Sequence, residues 1–320
     1  MQAAVYTSYG APDVVTVRDI PTPRPGEKDV LIRVHASTVN RTDCGFRSAE
    51  YFISRFWSGL FKPKRQVLGC EFAGVVDSVG SSVTMFKPGD KVFGFNDRTF
   101  GGHAEYICQP ENSAMDIIPE HLNFEQAAAL TEGSHYALND IYAAHVKAGD
   151  HVLVYGATGA IGSAAVQILK YLNAHVTAVC GTAHVDLIKS LGADVVIDYM
   201  QQDYTQQGLT FDLVFDAVGK TSFGTCKPVL NEPGIYISTE LGKNGQNVWY
   251  SIFNAFTGNK KVLFPLPVYD KEMISFIRKI ADDKHFTPVL DKTYALKDIR
   301  EAYAYVETGT KVGNVIIRCI

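Results

Sequence analysis

The chain has 320 residues, with 30 lysines and arginines against 34 aspartates and glutamates and a formal net charge of −4. Hydrophobic residues make up 46% and charged residues 20%, the balance of a globular protein and not of a disordered or collagenous one. So even a charge gives no electrostatic footprint for nucleic acid or an anionic membrane as partner. The six cysteines (Cys44, Cys70, Cys108, Cys180, Cys226 and Cys319) are scattered without a C-x-x-C pair, which argues against a disulfide framework or a thiolate zinc site. The opening stretch Met1–Val15 has no basic start followed by an apolar block. No signal peptide is expected, and the cytoplasm is the expected location.

Residues 1–115 read as β-rich. Short apolar runs at Val30–Ala36, Phe72–Val79, Lys91–Phe95 and His103–Cys108 are punctuated by turns such as Lys87-Pro88-Gly89-Asp90. Such spacing predicts a barrel-like β domain. Asn123 followed by Gln126 has the pattern of a helix cap with its reciprocal partner. From residue 151 strands and helices alternate: strand His151–Tyr155, helix Ala160–Leu172, strand Val176–Cys180, helix Val185–Leu191, then strands Asp194–Asp198, Phe211–Asp216 and Gly234–Ser238. That alternation predicts a parallel sheet, because parallel strands need crossover helices. Helices near Met273–Ala281 and Asp298–Val306 and a strand Asn314–Arg318 complete the reading. The mostly apolar stretch Val152–Leu169 is broken by glycines and polar residues, which suit a strand–turn–helix better than a membrane span.

The strongest local signal lies within that stretch. An apolar strand enters Gly156-Ala157-Thr158-Gly159-Ala160-Ile161-Gly162, and an amphipathic helix leaves it. Glycines let backbone approach a pyrophosphate, whose charge then rests on the free N–H groups of the helix N-terminus. A glycine triplet alone is weak, but the strand before it and the helix after it supply the required context. The following strand ends in Cys180-Gly181-Thr182-Ala183-His184 with no acid for a ribose 2′-hydroxyl. Thr182, His184 and Tyr199 are candidate donors to a 2′-phosphate, so NADPH is the expected cofactor.

The whole chain resembles the medium-chain dehydrogenase/reductase family, in its zinc-free quinone oxidoreductase branch. The resemblance is carried by Pro23–Lys28, Val39–Asp43, Leu68–Val76, Phe86–Gly94, Gly101–Tyr106, the glycine turn, Leu191–Asp194, Phe215–Gly219 and Gly313–Val315, in the family's order. It implies an α/β protein: a GroES-like β-barrel catalytic domain (1–122 and 265–320), a doubly wound Rossmann NADP-binding domain (123–264), and a substrate cleft between them. It extends the cofactor site to Val218, Ser238 and Asn314.

Zinc enzymes of the family carry Cys in a C-x-[ST]-D stretch and His in G-H-E. Here those stretches read Asn40-Arg41-Thr42-Asp43 and Gly69-Cys70-Glu71, and the lobe with four structural cysteines is replaced by Asn96–Gly101. No metal is expected. Without a Lewis acid, hydride transfer to an activated acceptor, a quinone or an α,β-unsaturated carbonyl, is the expected reaction. Asn40 is a candidate to bond the cofactor or the substrate carbonyl, and Asp43 to orient its surroundings, unless the pair only stabilises a turn. Where the branch usually has a Thr near the nicotinamide, this chain has Thr131-Glu132-Gly133-Ser134-His135. Glu132 and His135 are candidates for acid–base work there, against a plain helix start. Tyr51 stands where aromatic residues often cover the substrate. Lys261–Pro267 resembles the sheet-edge strand through which relatives dimerise, so a homodimer is one reading; if the edge that carries Pro265 and Pro267 is the exposed one, strand-to-strand pairing is blocked and a monomer is the other. A 2-enoyl thioester reductase and a non-catalytic NADPH-binding protein are the alternatives. A short-chain dehydrogenase is excluded by the late glycine turn and the absence of Y-x-x-x-K after it.

Overall fold

The structure is a computed structural model that describes residues 1–50, 55–253, 259–268 and 271–320. Tyr51 lies outside the described residues. The chain divides into two compact units, Met1–Glu132 with Tyr269–Ile320, and Gly133–Val268. The sequence reading places the borders at 122/123 and 264/265. The helix Phe124–Ala128 belongs to the first unit, where it packs on the strands Asp29–Val39 and Glu71–Val79. It starts as its sequence predicts: Asn123 Oδ1 accepts from Gln126 N–H at 2.9 Å and Gln126 Oε1 accepts from Asn123 N–H at 3.1 Å.

The first unit is built on a seven-stranded sheet in the order Leu290–Ala295, Asn314–Arg318, Asp29–Val39, Glu71–Val79, Lys91–Phe95, Met115–Ile117, with Tyr106–Pro110 paired to the free end of Asp29–Val39. The long strand Asp29–Val39 is buried along most of its length, which its run of Val, Leu, Ile and Ala dictates. Helix Lys271–Asp282 buries Met273, Ile274, Ile277, Ile280 and Ala281, an i, i+3/i+4 stripe. Two helices depart from the β-rich reading, Arg41–Ser48 and the short Arg55–Ser58. Asn40 precedes the first in extended conformation, and the Asp43 carboxylate reaches back to the Asn40 N–H at 3.1 Å. A polar, glycine-containing segment without apolar period hides such a helix from pattern reading.

The second unit is a six-stranded, all-parallel sheet in the order Val195–Asp198, His175–Cys180, His151–Tyr155, Phe211–Asp216, Leu230–Ser238, Lys260–Leu263. Numbered along the unit this is 3-2-1-4-5-6, the doubly wound dinucleotide-binding order, with its switch point beside His151–Tyr155. Leu153, Val179, Ile197, Phe211, Val214, Tyr236 and Val262 share one buried cluster. The edge strand ends at Leu263, before Pro265 and Pro267. The expected strand Lys261–Pro267 is therefore corrected: the prolines lack the N–H a ladder needs, so pairing stops ahead of them, and they do not cap its edge. Among the described residues no helix is long and apolar enough to cross a membrane.

Candidate active site

Strand His151–Tyr155 delivers the chain into the glycine turn, and helix Ala160–Tyr171 carries it away. The three glycines have different reasons. Gly156 has a φ of +81°, and a Cβ there would come within 2.6 Å of Val218 Cγ1. A Cβ on Gly162 would run into the Gly156 carbonyl, so this glycine sets how closely helix and strand pack. A Cβ on Gly159 would meet only the Gly156 carbonyl oxygen, at 3.8 Å, so the space above it is open. Gly159 is also the N-cap and supplies no side-chain cap to the helix's first N–H groups. An open cradle in front of uncapped donors fits the pyrophosphate of a dinucleotide.

Around that turn the sequence-predicted positions fall as follows. Val218 is partly exposed and its N–H donates to Asp216 Oδ1 at 3.2 Å. Ser238 is buried and its hydroxyl donates to Asp216 Oδ2 at 3.3 Å. Asp216, which also takes Gly219 N–H and Tyr236 Oη–H, is thus the knot that shapes the loop after its strand. Thr182 and His184 lie in a short 3-10 turn after Gly181, and Tyr199 is exposed beside it with its N–H on the Cys180 carbonyl at 3.0 Å. Sequence reading finds no acid after the second strand. The structure brings one from the third: Asp198 pairs in register with Cys180, and Thr182 Oγ1 donates to its Oδ2 at 2.6 Å. Sequence distance conceals this neighbour. Asn314 is in the other unit, its Nδ2 donating to the Val289 carbonyl at 3.1 Å. His135 is buried in the helix Glu132–Ala143, its ring 5.5 Å from that of Tyr136.

The first unit gathers a buried polar group around Glu71, which the sequence shows only as one acid inside the apolar run Leu68–Val76. Glu71 Oε1 accepts from Thr131 N–H at 3.0 Å, Thr131 Oγ1 at 2.6 Å and Glu132 N–H at 2.6 Å. Its Oε2 accepts from Thr38 Oγ1 and from Asn40 Nδ2 at 2.7 Å. Five donors fill the roughly four lone-pair sites of a carboxylate. Asn40 gives its second Nδ2 proton to Thr38 Oγ1 at 2.9 Å, and its Oδ1 is buried without a partner. Both amide N–H groups are thus engaged, and Oδ1 is the atom left to accept. Asp43 is fully buried, taking Gly69 N–H at 2.9 Å as well as Asn40 N–H, and burial pushes its carboxyl up. It fastens the helix start to the Gly69 turn. His103 Nε2 bonds the Thr38 carbonyl at 2.7 Å and Nδ1 faces Tyr303 Oη at 3.2 Å, one donor and one acceptor. That arrangement fits the neutral ring that burial favours.

These residues do not fit zinc. Asn40 turns its amide nitrogen to Glu71, and the Glu71 oxygens are filled. Burial, and then the acidic surroundings that Asp43 and Glu71 contribute, push the Cys70 thiol well up, away from the thiolate a metal needs.

Residues 26–120 match the alcohol dehydrogenase GroES-like domain and residues 191–317 the zinc-binding dehydrogenase domain. A chloroplastic quinone oxidoreductase of Triphysaria versicolor is 31% identical over 332 residues, 99% of this chain and 98% of the relative. A chloroplastic NADPH-dependent alkenal/one oxidoreductase of Arabidopsis thaliana is 28% identical over 327 residues, 99% of this chain and 79% of the relative. The solved quinone oxidoreductase of Coxiella burnetii superposes with a TM-score of 0.87 at 26% identity, covering 99% of both chains. The chain belongs to the medium-chain dehydrogenase/reductase family, in its quinone oxidoreductase branch. It is an oxidoreductase with a Rossmann domain for a nicotinamide cofactor.

Proposed function

We propose that the protein is an NADPH-dependent, zinc-independent reductase that transfers hydride to a quinone or an α,β-unsaturated carbonyl. The observation that carries this reading is the pairing of an open dinucleotide cradle at Gly159 with an acid-and-amide cluster whose donor set cannot hold zinc. The names of relatives for quinones and alkenals point the same way. The nicotinamide supplies the hydride; the protein supplies binding, orientation and exclusion of water.

In this reading Gly156, Ala157, Thr158, Gly159, Ala160, Ile161 and Gly162 hold the pyrophosphate. Gly181, Thr182, His184 and Tyr199 meet the adenosine ribose and its 2′-phosphate, and Val218 and Ser238 serve the nicotinamide half. The unit Met1–Glu132 with Tyr269–Ile320 binds the acceptor. Asn40 offers Oδ1 to an N–H of the cofactor, Asp43 positions Asn40, and roles for Tyr51 and His135 toward the acceptor are part of the proposal. All six cysteines are free, as in a reducing compartment, and a cytoplasmic location is part of the proposal.

The test is oxidation of NADPH and NADH with 9,10-phenanthrenequinone and a short alkenal, in the presence of EDTA. Turnover with NADPH that survives EDTA is expected. Tight NADPH binding with no acceptor reduced overturns the reductase reading in favour of a binding protein.

A further inference from the structure

We infer that Glu132 is the proton donor of the reduction, presenting its Oε2 to the atom of the acceptor that gains electrons when hydride arrives. This rests on the reductase reading above and supplies the half of the chemistry that the glycine turn does not.

The inference starts from which donors the Glu71 cluster has left. A carbonyl being reduced needs an O–H or N–H. The hydroxyls of Thr38 and Thr131 are given to Glu71, and both Nδ2 protons of Asn40 are given to Glu71 and Thr38. Glu132 is different. Its residue is 4% exposed, and Oε2 is buried with no hydrogen-bond partner. Its main-chain N–H is pinned on Glu71 at 2.6 Å, which fixes where the side chain departs.

The proton belongs on Glu132 and not on Glu71 for a steric reason. All lone pairs of Glu71 are occupied, so a proton there would meet a donor, whereas Oε2 of Glu132 is vacant. The groups facing Glu132 are Glu71 and Asp43, both acids, the Thr42 side chain, which hydrogen-bonds it, and Lys311. Two buried acids against one lysine favour the neutral carboxyl, and burial, followed by the Glu71 and Asp43 charges, holds it well above the usual carboxylate range. A buried carboxylic acid kept neutral is a hydrogen-bond donor at physiological pH.

The step balances as follows. A bound nicotinamide would supply a hydride, which forms a C–H bond at the carbonyl carbon or the carbon conjugated with it. The displaced π pair moves onto the carbonyl oxygen. The Glu132 Oε2–H bond breaks, its proton goes to that oxygen or to the carbon α to it, and Glu132 remains as a carboxylate that regains a proton from water.

The test compares wild type, Glu132→Gln and Glu132→Asp in the full chain, using whichever of 9,10-phenanthrenequinone and trans-2-hexenal wild type reduces faster. NADPH affinity, measured by fluorescence, should stay within about twofold in both variants. Glu132→Gln should lower kcat about 100-fold, the low end of general-acid contributions. Wild-type kcat should fall as pH rises through the pKa of the acid and show a normal solvent isotope effect. Glu132→Gln should lose both, and Glu132→Asp should restore the pH dependence with its midpoint moved from that of wild type, which a merely structural residue would not do. An active wild type with an unchanged pH profile in Glu132→Gln overturns this assignment alone. If Glu132→Gln does not fold, a Glu132→Asp profile identical to wild type in midpoint and isotope effect overturns it too. A wild type that binds NADPH and reduces neither acceptor overturns the reductase reading and this step with it.

Discussion

At the end of the strand Val195–Asp198, the Asp198 carboxylate takes Thr182 Oγ1 at 2.6 Å, Gln201 Nε2 at 2.9 Å and Met200 N–H at 3.0 Å. The Thr182 hydroxyl, one of the proposed donors to a 2′-phosphate, is thereby spent on an anion. A negative charge at this turn opposes a second negative charge on the ribose, by about 1 kcal/mol at 4 Å even in bulk water. Asp198→Asn should therefore tighten NADPH about fivefold and leave NADH within about twofold, as read by titration of each cofactor. Nothing in the sequence announces this contact, because 16 residues separate the partners and only strand pairing joins them. The same holds for Glu71, whose five donors come from residues 38, 40, 131 and 132. The glycine turn, in contrast, is legible because its three glycines, strand and helix are consecutive in sequence.

Among elements, the turn between His151–Tyr155 and Ala160–Tyr171 allows two substitutions of equal size to be set against each other. Gly162→Ala drives a methyl into the Gly156 carbonyl and the Ala157 Cα, and should cost about 1–3 kcal/mol of stability as overpacking. Gly159→Ala enters open space at an ordinary φ of −71°, so its stability should fall only by the loss of a glycine N-cap, about 0.5–1 kcal/mol. Yet that methyl stands where a pyrophosphate would lie, and NADPH affinity should fall at least about tenfold, or about 1.4 kcal/mol. Thermal melts with and without NADPH separate the two effects. Equal NADPH affinity in Gly159→Ala and wild type would count against the cradle. Elements with a clear period or a continuous apolar run are readable to the residue, as at Lys91–Phe95, Phe211–Asp216 and Asn314–Arg318. The helix Glu132–Ala143 is not, since Gly133, Ser134, Asn139 and Asp140 are weak helix formers and its environment holds it.

For the whole molecule, the first unit is made from both ends of the chain and the second from a continuous middle. Strand Asn314–Arg318 pairs antiparallel with Ser37, Thr38 and Val39 of the long strand, and Leu290–Ala295 continues the sheet beyond it. Removing residues 290–320 should leave the second unit protected in limited proteolysis while the first is degraded. Equal loss of both would show that the middle unit has no independent stability.

That discontinuity has a consequence during synthesis. The middle unit, Gly133–Val268, is complete when its last strand leaves the ribosome, and it can fold while translation continues. The N-terminal strands must wait with the Ala36–Val39 end of the long strand open on the side that Asn314–Arg318 will close, a short stretch of buried-type residues without its partner. The interval between residues 39 and 314 is thus the window in which a nascent chain is most exposed to pairing with another, and in which a chaperone would have most to do.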